Sequence, residues 1–381
     1  MDFSFSEEQM MLKDSIADFL RDGYSLESYH QIVASQAGYS PEIWRQFAEL
    51  QWQGLPFAED EGGLGYGSTE LLLLAEEMGR GLCIEPYMAN VVLAGSLIAA
   101  LGGAEDKQAL LGGLIDGSLQ ISLAHAELAG RNNPAHCAAR AAESGANWKL
   151  SGHKSVVLNA ANADKLLVVA RSHGDTGSRE GQGVFVVDAK ATGLTMQRYA
   201  LLGGGVGAEV KLDRVEAQRL GDEAMPALED SIDLATAYGC AEAYGAMQAL
   251  LAKTVEYSQT RKQFGAPLAS FQVLQHRMVD MFIEVQQSQS MLLMLMLRLT
   301  DEDRGERQKA VSATKAYLHK ASKFVAQQAV QLHGGIGVTE ELDIGHYFRR
   351  LTAFGNLYGG RVHHLRRYAA LTRGDAVASA A

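Results

Sequence analysis

Chemistry in this 381-residue chain concentrates in two glycine-bearing segments, residues 261–272 and 329–337. Arg261 offers a rigid fork of donors suited to a pyrophosphate, and Gln263, Gln272 and Gln331 offer amide donors and acceptors. Gly334, Gly335 and Gly337 remove side chains where a ligand must approach backbone. Together these residue types suit a bound dinucleotide.

Other groupings invite chemistry and fail on context. The glycines of residues 202–209 (Leu-Gly-Gly-Gly-Val-Gly-Ala-Glu) precede a strand pattern. A dinucleotide fingerprint of the nicotinamide type instead follows a strand and opens a helix. His363 and His364 point about 100° apart if helical and have no acidic neighbour, so no metal site is expected. The methionine-rich run 291–297 reads as core packing.

Composition narrows the function classes. A net charge of −11, with no basic stripe to offset it, argues against a nucleic-acid surface, and Arg366–Arg367 reads as a helix end. The widely spaced Cys83, Cys137 and Cys240 imply neither a disulfide framework nor a zinc knuckle and fit a reducing cytoplasm. Residues 1–8 lack a basic and an apolar signal region, and the longest apolar runs, 91–101 and 291–297, are too short to cross a bilayer.

The elements that must position these residues follow from periodicity. Ser6 and Gln9 form a capping-box pattern before Met10, Leu12, Ile16, Phe19 and Leu20, so the chain opens on an amphipathic helix. A second helix is expected after Pro41, with Ile43, Trp44, Phe47 and Leu50 on one face. Helical character resumes over 69–80 and 87–101, after a turn-rich stretch at 59–67. Short strands are expected at 121–124, 148–150, 166–171, 183–188 and 209–212. Helical period then returns over 227–261, 271–298, 307–332 and 343–370, which suits a four-helix bundle. The expected class is α+β and mostly helical: an all-α domain over 1–118, a middle β-barrel or sandwich domain over 119–222, a helical bundle over 223–371 and a tail over 372–381.

Segments 261–272 and 329–337, with Glu-Gly-Gly-Leu-Gly at 61–65, Tyr-Ser-Gln-Thr-Arg at 257–261 and Tyr-Phe-Arg-Arg at 347–350, resemble the signatures of the acyl-CoA dehydrogenase family, in its order and at its intervals. The resemblance implies FAD, an acyl-CoA substrate, α,β-desaturation, an electron-acceptor flavoprotein and a homo- or hetero-tetramer sharing each flavin between subunits. It also implies that Arg261, Gln263, Phe264, Gln272, Gln331, Gly334 and Gly335 serve the pyrophosphate and adenosine of a neighbour's flavin. Residues 241–247, 271–276 and 358–365 look most like the small subunits of members that act on pimeloyl-CoA or steroid side chains.

The chain departs from the family at its reactive centre. The family's usual Glu falls on Tyr358 or Gly359, and no Asp or Glu occurs from 344 to 374. An alternative slot falls on Ala235, followed by Thr236 in place of an Arg. In the isoalloxazine cradle, Ala126 stands for a Thr, residues 131–133 for Gly-Ser-Asp, and Val156 and Leu158 for the Trp and Thr of a Trp-Ile-Thr motif. Glu242 is a candidate relocated base on the face of Ala235, roughly 10 Å further along the helix; Asp233 points away from that slot on a helix. The leading expectation is a subunit of a heteromeric FAD-dependent acyl-CoA dehydrogenase that lends flavin contacts to a partner bearing the base. A self-sufficient dehydrogenase using Glu242, a flavin monooxygenase and a flavin-free structural subunit are the alternatives. The run Arg349, Arg350, Arg361, His363 and His364 would attract an ω-carboxylate or simply complement a helix C-terminus.

Overall fold

A computed structural model describes residues 5–221 and 224–374. The chain falls into two compact units, one built on Met1–Gln31, Ser68–Ile84 and Thr236–Ala378, the other on Ile32–Gly67 and Glu85–Ala235. The boundary expected at 222/223 and most of the expected tail, 375–381, lie outside the described residues.

The N-terminal helices are α1 (Glu7–Gly23), α2 (Leu26–Ala34), α3 (Pro41–Glu49) and α4 (Ser68–Arg80). The capping box forms as expected: Ser6 Oγ accepts from the Gln9 N–H and Gln9 Oε1 accepts from the Ser6 N–H. Ile16 and Leu20 are buried, whereas Met10 is 43% exposed. On α3, Trp44 and Phe47 are buried, but Leu50 leaves the expected face because the helix stops at Glu49 and Gln51 turns left-handed at φ 59°. A π-helical stretch, Met88–Gly95, then leads into α5 (Ser96–Leu101), α6 (Ala104–Asp106) and α7 (Gly112–Ile115).

The strands are β1 (Ile121–Ala124), β2 (Arg140–Ser144), β3 (Asn147–Leu158), β4 (Lys165–Arg171), β5 (Gln182–Asp188), β6 (Leu194–Ala200) and β7 (Val206–Gly221). Pairings β4–β2, β2–β3, β3–β7, β7–β5 and β5–β4 close a ring, with β1 added on β4 and β6 on β7. Sequence periodicity misses β2 and β6. Both are largely exposed and carry little apolar alternation, and their hydrogen-bonded partners hold them in the sheet. Gly204 (φ 93°) and Gly205 (φ 75°) turn β6 back into β7, so the glycine-rich run is a hairpin turn.

The C-terminal helices are α8 (Ala224–Thr260), α9 (Gln272–Leu299), α10 (Arg304–His333), α11 (Ile344–Asn356) and α12 (Arg361–Arg373), with short strands β8 (Lys262–Gln263) and β9 (Ala266–Pro267) after α8. Residues 343–370, expected as one helix, are thus two. Tyr358 (φ 55°) and Gly359 (φ 104°) break the helical course between them. Glycine brings α4 and α8 together: a Cβ on Gly79 would sit 1.9 Å from the Glu242 carbonyl oxygen, and one on Gly245 would sit 1.8 Å from that of Glu76. Among the described residues no helix is long and apolar enough to cross a membrane, and Cys83, Cys137 and Cys240 are buried free thiols.

Candidate functional site

The first segment folds as a tight hairpin. Lys262 pairs with Pro267 and Gln263 with Ala266, leaving Phe264 (φ 53°) and Gly265 (φ 83°) as the turn. Positive φ at both central residues is the type I′ pattern, where Asn-Gly is usual and Phe is strained. Phe264 is nevertheless 93% exposed, approaching the Phe271 ring only edge-on with centroids 6.3 Å apart, so little packing within the chain offsets that strain. Arg261, Gln263 and Gln272 are exposed around it.

The second segment closes α10. Gly334 takes φ 66° after His333, and Gln331, Gly334 and Gly335 are exposed. A Cβ on Gly335 would meet nothing within 4 Å, so packing within the chain gives no reason for glycine there. Tyr257, one turn before Arg261, stacks on His333 with ring centroids 4.4 Å apart at 24°. That stack joins the ends of α8 and α10 and so brings the two segments together.

In the β unit, the cradle positions adjoin one another. Ala126 is half-buried, and its carbonyl accepts from the Ser155 N–H at 2.9 Å. Val156 stands at a register shift in β3 with φ 53°, a strained conformation for a β-branched residue, and is 49% exposed. Leu158 is half-buried opposite Gly207. These side chains present aliphatic surface without a hydroxyl or a ring. Beneath them, Glu127 accepts from the Ala138 and Ala139 N–H groups and from Lys154 Nζ at 2.7 Å. Burial opposes its charge, yet Lys154 and the backbone donors outweigh it and hold the carboxyl below its ordinary value. Glu127 is thus a structural anchor of this region.

Ala235 and Thr236 are buried on α8, as is Asp233. Glu242 is buried too, with its Oε1 accepting from Arg350 at 2.7 Å. Burial lifts its carboxyl above the ordinary value against the pull of Arg350. At the usual slot, a Cβ on Gly359 would fall 2.5 Å from His363 Cδ2 and 3.1 Å from His364 Nε2, so position 359 holds no side chain. The Tyr358 phenol has its pKa raised, first by burial and then by Glu242. His364 is buried and faces the Tyr358 carbonyl through Nε2 at 3.0 Å; burial, with His363 and Lys315, pushes its pKa down to about 2. Three members of the basic run have partners or an environment that reduce their pull on an anion. Arg350 is tied to Glu242, Arg349 to Glu340, and His364 is neutral.

Three features escaped sequence reasoning. Glu85 is buried, its carboxylate accepting from the Ser40 N–H, and burial raises its pKa to about 8. A Glu before Pro and a long apolar stretch is the only signal it leaves. His30, Glu340 and His346, far apart in sequence, lie together. A cleft of about 1040 Å³ opens in the β unit, lined by Trp148, His173, Arg179, Gln182 and Arg219 among others. The Arg219 guanidinium lies 5.1 Å from the Trp148 ring centroid, and the buried Gln182 Oε1 has no hydrogen-bond partner among the described residues.

Family profiles for the acyl-CoA dehydrogenase N-terminal, middle and C-terminal domains match residues 6–118, 122–213 and 229–367. The chain belongs to the acyl-CoA dehydrogenase family. It is 28% identical over 360 residues to the probable acyl-CoA dehydrogenase YngJ of Bacillus subtilis (strain 168), covering 92% of this chain and 93% of that one. Among solved structures, a single-residue variant of the Tcur3481-Tcur3483 steroid acyl-CoA dehydrogenase is 30% identical with a TM-score of 0.87, covering 97% of this chain and 98% of its own. The ChsE4-ChsE5 complex from Mycobacterium tuberculosis (24% identity, TM-score 0.89, 99% and 100% covered) shares the fold. So does the FAD complex of PigA (21% identity, TM-score 0.90, 98% and 99% covered).

Proposed function

We propose that this chain is one subunit of a heteromeric FAD-dependent acyl-CoA dehydrogenase, and that it supports a flavin whose base and main cradle belong to a homologous partner. One observation carries this reading. The candidate base Glu242 is engaged with Arg350 at 2.7 Å, while Phe264 stands 93% exposed in a strained turn. The candidate carboxylate is thus held by an arginine, while a strained turn presents an aromatic ring to solvent.

The fit to FAD is half complete. Arg261, Gln263, Gln272, Gln331, Gly334 and Gly335 present donors and open backbone suited to a pyrophosphate and adenosine. Ala126, Val156 and Leu158 supply neither the ring nor the hydroxyl that would cradle an isoalloxazine. When bound, FAD accepts the β-hydride of the acyl thioester; removal of the α-proton needs a base, for which this chain offers no free carboxylate at 358 or 359.

Association with another chain is favoured by the outer side of α9, where Val279, Phe282 and Ile283 are 53%, 52% and 44% exposed. The β-unit cleft, with Trp148 and Arg219 at its wall, suits the nucleotide end of a CoA thioester. The likeness to the two-component Tcur3481-Tcur3483 steroid acyl-CoA dehydrogenase supports the heteromeric reading, and an electron-acceptor flavoprotein completes the set of partners.

The test is flavin reduction by acyl-CoA, for the chain alone and co-expressed with each dehydrogenase-like chain encoded beside it. The expected result is no bleaching alone, and bleaching with stoichiometric flavin in one co-purified complex. Acyl-CoA bleaching by the single chain would overturn the supporting role. If that activity fell at least 100-fold in Glu242→Gln, the relocated base would take its place.

A further inference from the structure

We propose that His30, Glu340 and His346 form a binding site for a divalent transition-metal ion, zinc by ligand class, which clasps α2 to the segment that opens α11. The three donor atoms come from distant parts of the sequence within the unit that contains the C-terminal helices. His30 Nε2 and His346 Nε2 are 2.9 Å apart, His346 Nε2 and Glu340 Oε2 are 3.1 Å apart, and His30 Nε2 and Glu340 Oε2 are 4.0 Å apart.

A triangle with these sides of 2.9, 3.1 and 4.0 Å has a circumradius of about 2.0 Å. One point therefore lies about 2.0 Å from all three donors, the distance at which zinc takes imidazole nitrogen and carboxylate oxygen. An ion about 2.1 Å from each sits roughly 0.6 Å off their plane, which leaves a fourth position open. The Glu340 side chain is 65% exposed and that of His30 40%, so ion and water have access, while His346 is 4% exposed and anchored. Two imidazoles and a carboxylate favour zinc over magnesium or calcium.

Arg349 sets the terms of binding. Its guanidinium donates to His346 Nδ1 at 2.5 Å and to Glu340 Oε1 at 3.1 Å. While it holds Nδ1, the proton of neutral His346 lies on Nε2, between the two rings. Zinc takes the place of that proton at Nε2. Arg349 then releases Nδ1, which becomes the N–H of the other tautomer, and keeps its contact with Glu340. In the bound state Arg349 keeps one contact outside the donor triangle, to the Glu340 carboxylate. Nothing here depends on flavin or on a partner, so this site stands or falls apart from the proposed activity.

The test is titration of chelator-treated full-length chain with zinc chloride by calorimetry at pH 7.5, for wild type, His30→Ala and Glu340→Gln, with Co²⁺ absorption as a second readout. Both substitutions are at accessible positions, and circular dichroism would verify their fold. The expected result is one zinc per chain, binding at least 10-fold weaker in each variant, and a Co²⁺ spectrum of low coordination number that His30→Ala abolishes. Two results would overturn the proposal: no saturable one-to-one binding in wild type, or weakening only in Glu340→Gln, which marks cation attraction by an exposed carboxylate.

Discussion

Arg350 accounts for Glu242. A carboxylate buried against a guanidinium at 2.7 Å leaves a charge without its counter-ion when either partner is removed. Glu242→Ala is therefore expected to destabilise the chain by about 3–5 kcal/mol, seen as a lower urea midpoint. Glu242→Gln, which keeps an acceptor for Arg350, costs about 1–3 kcal/mol. A relocated catalytic base would instead show its main loss in turnover, at nearly unchanged stability. Gly359 makes the complementary point. Its φ of 104° and the His363 ring 2.5 Å from any Cβ exclude a side chain, so of the two slots the sequence leaves for the family carboxylate, only Tyr358 has room for one.

The hairpin β8–β9 is the element where local cost and the proposed function meet. Phe in the left-handed region costs about 1–2 kcal/mol relative to a residue that tolerates it. Phe264→Asn is expected to raise the stability of the isolated chain by about 1 kcal/mol in a urea melt, yet to reduce the yield of partner and flavin recovered with it. Unchanged recovery would mean the exposed ring has no part in assembly. Elements with strong local signals were legible in advance: the capped α1, α3 behind Pro41, β1, β4, β5, and the long helices α8, α9 and α10. Strands β2 and β6 were not, because ladder partners rather than apolar alternation hold them. The α11–α12 break was missed because the left-handed turn begins at Tyr358, a residue type that gives no such signal, with His364 Nε2 of the next helix 3.0 Å from its carbonyl.

Across the whole molecule, two buried groups tie stability to pH in opposite directions. Glu85 is raised from 4.5 to about 8 by burial, so between these values the folded chain keeps a proton that the unfolded chain sheds. Its contribution is complete below pH 4.5 and is lost as pH rises toward 8, by up to about 1.4 kcal/mol per pH unit. Lys315, lowered from 10.5 to about 7 by burial, binds its proton more weakly in the folded chain, so stability rises with pH between 7 and 10.5. Its Nζ lies 3.4 Å from the Phe354 ring centroid and donates to the Phe354 carbonyl, which stabilises the cation only in part. Buried histidines such as His364 act in the opposite sense to Glu85 below pH 6.5, so the comparison is between urea-melt profiles. Relative to Glu85→Gln the wild type should lose stability as pH rises from 4.5 to about 8, and relative to Lys315→Met it should gain stability from about pH 7 to 10.5. Parallel profiles for wild type and both variants would refute this coupling.

Local order was enough to read the family, the α+β class and the candidate flavin contacts, because Arg261, Gln263, Phe264 and the glycines at 334 and 335 cluster along short stretches of chain. It was also enough to show a carboxylate missing from 358 and 359. What Glu242 does instead depended on Arg350, which arrives 108 residues later on another helix. The same holds for His30, which meets His346 across 316 residues, and for the stack of Tyr257 on His333 that unites the two glycine segments. Periodicity reports which face of an element is buried; it carries no information about which charge or ring will be packed against it. Those pairings form only when distant segments condense, and they set Glu242 against Arg350 and His30 beside His346.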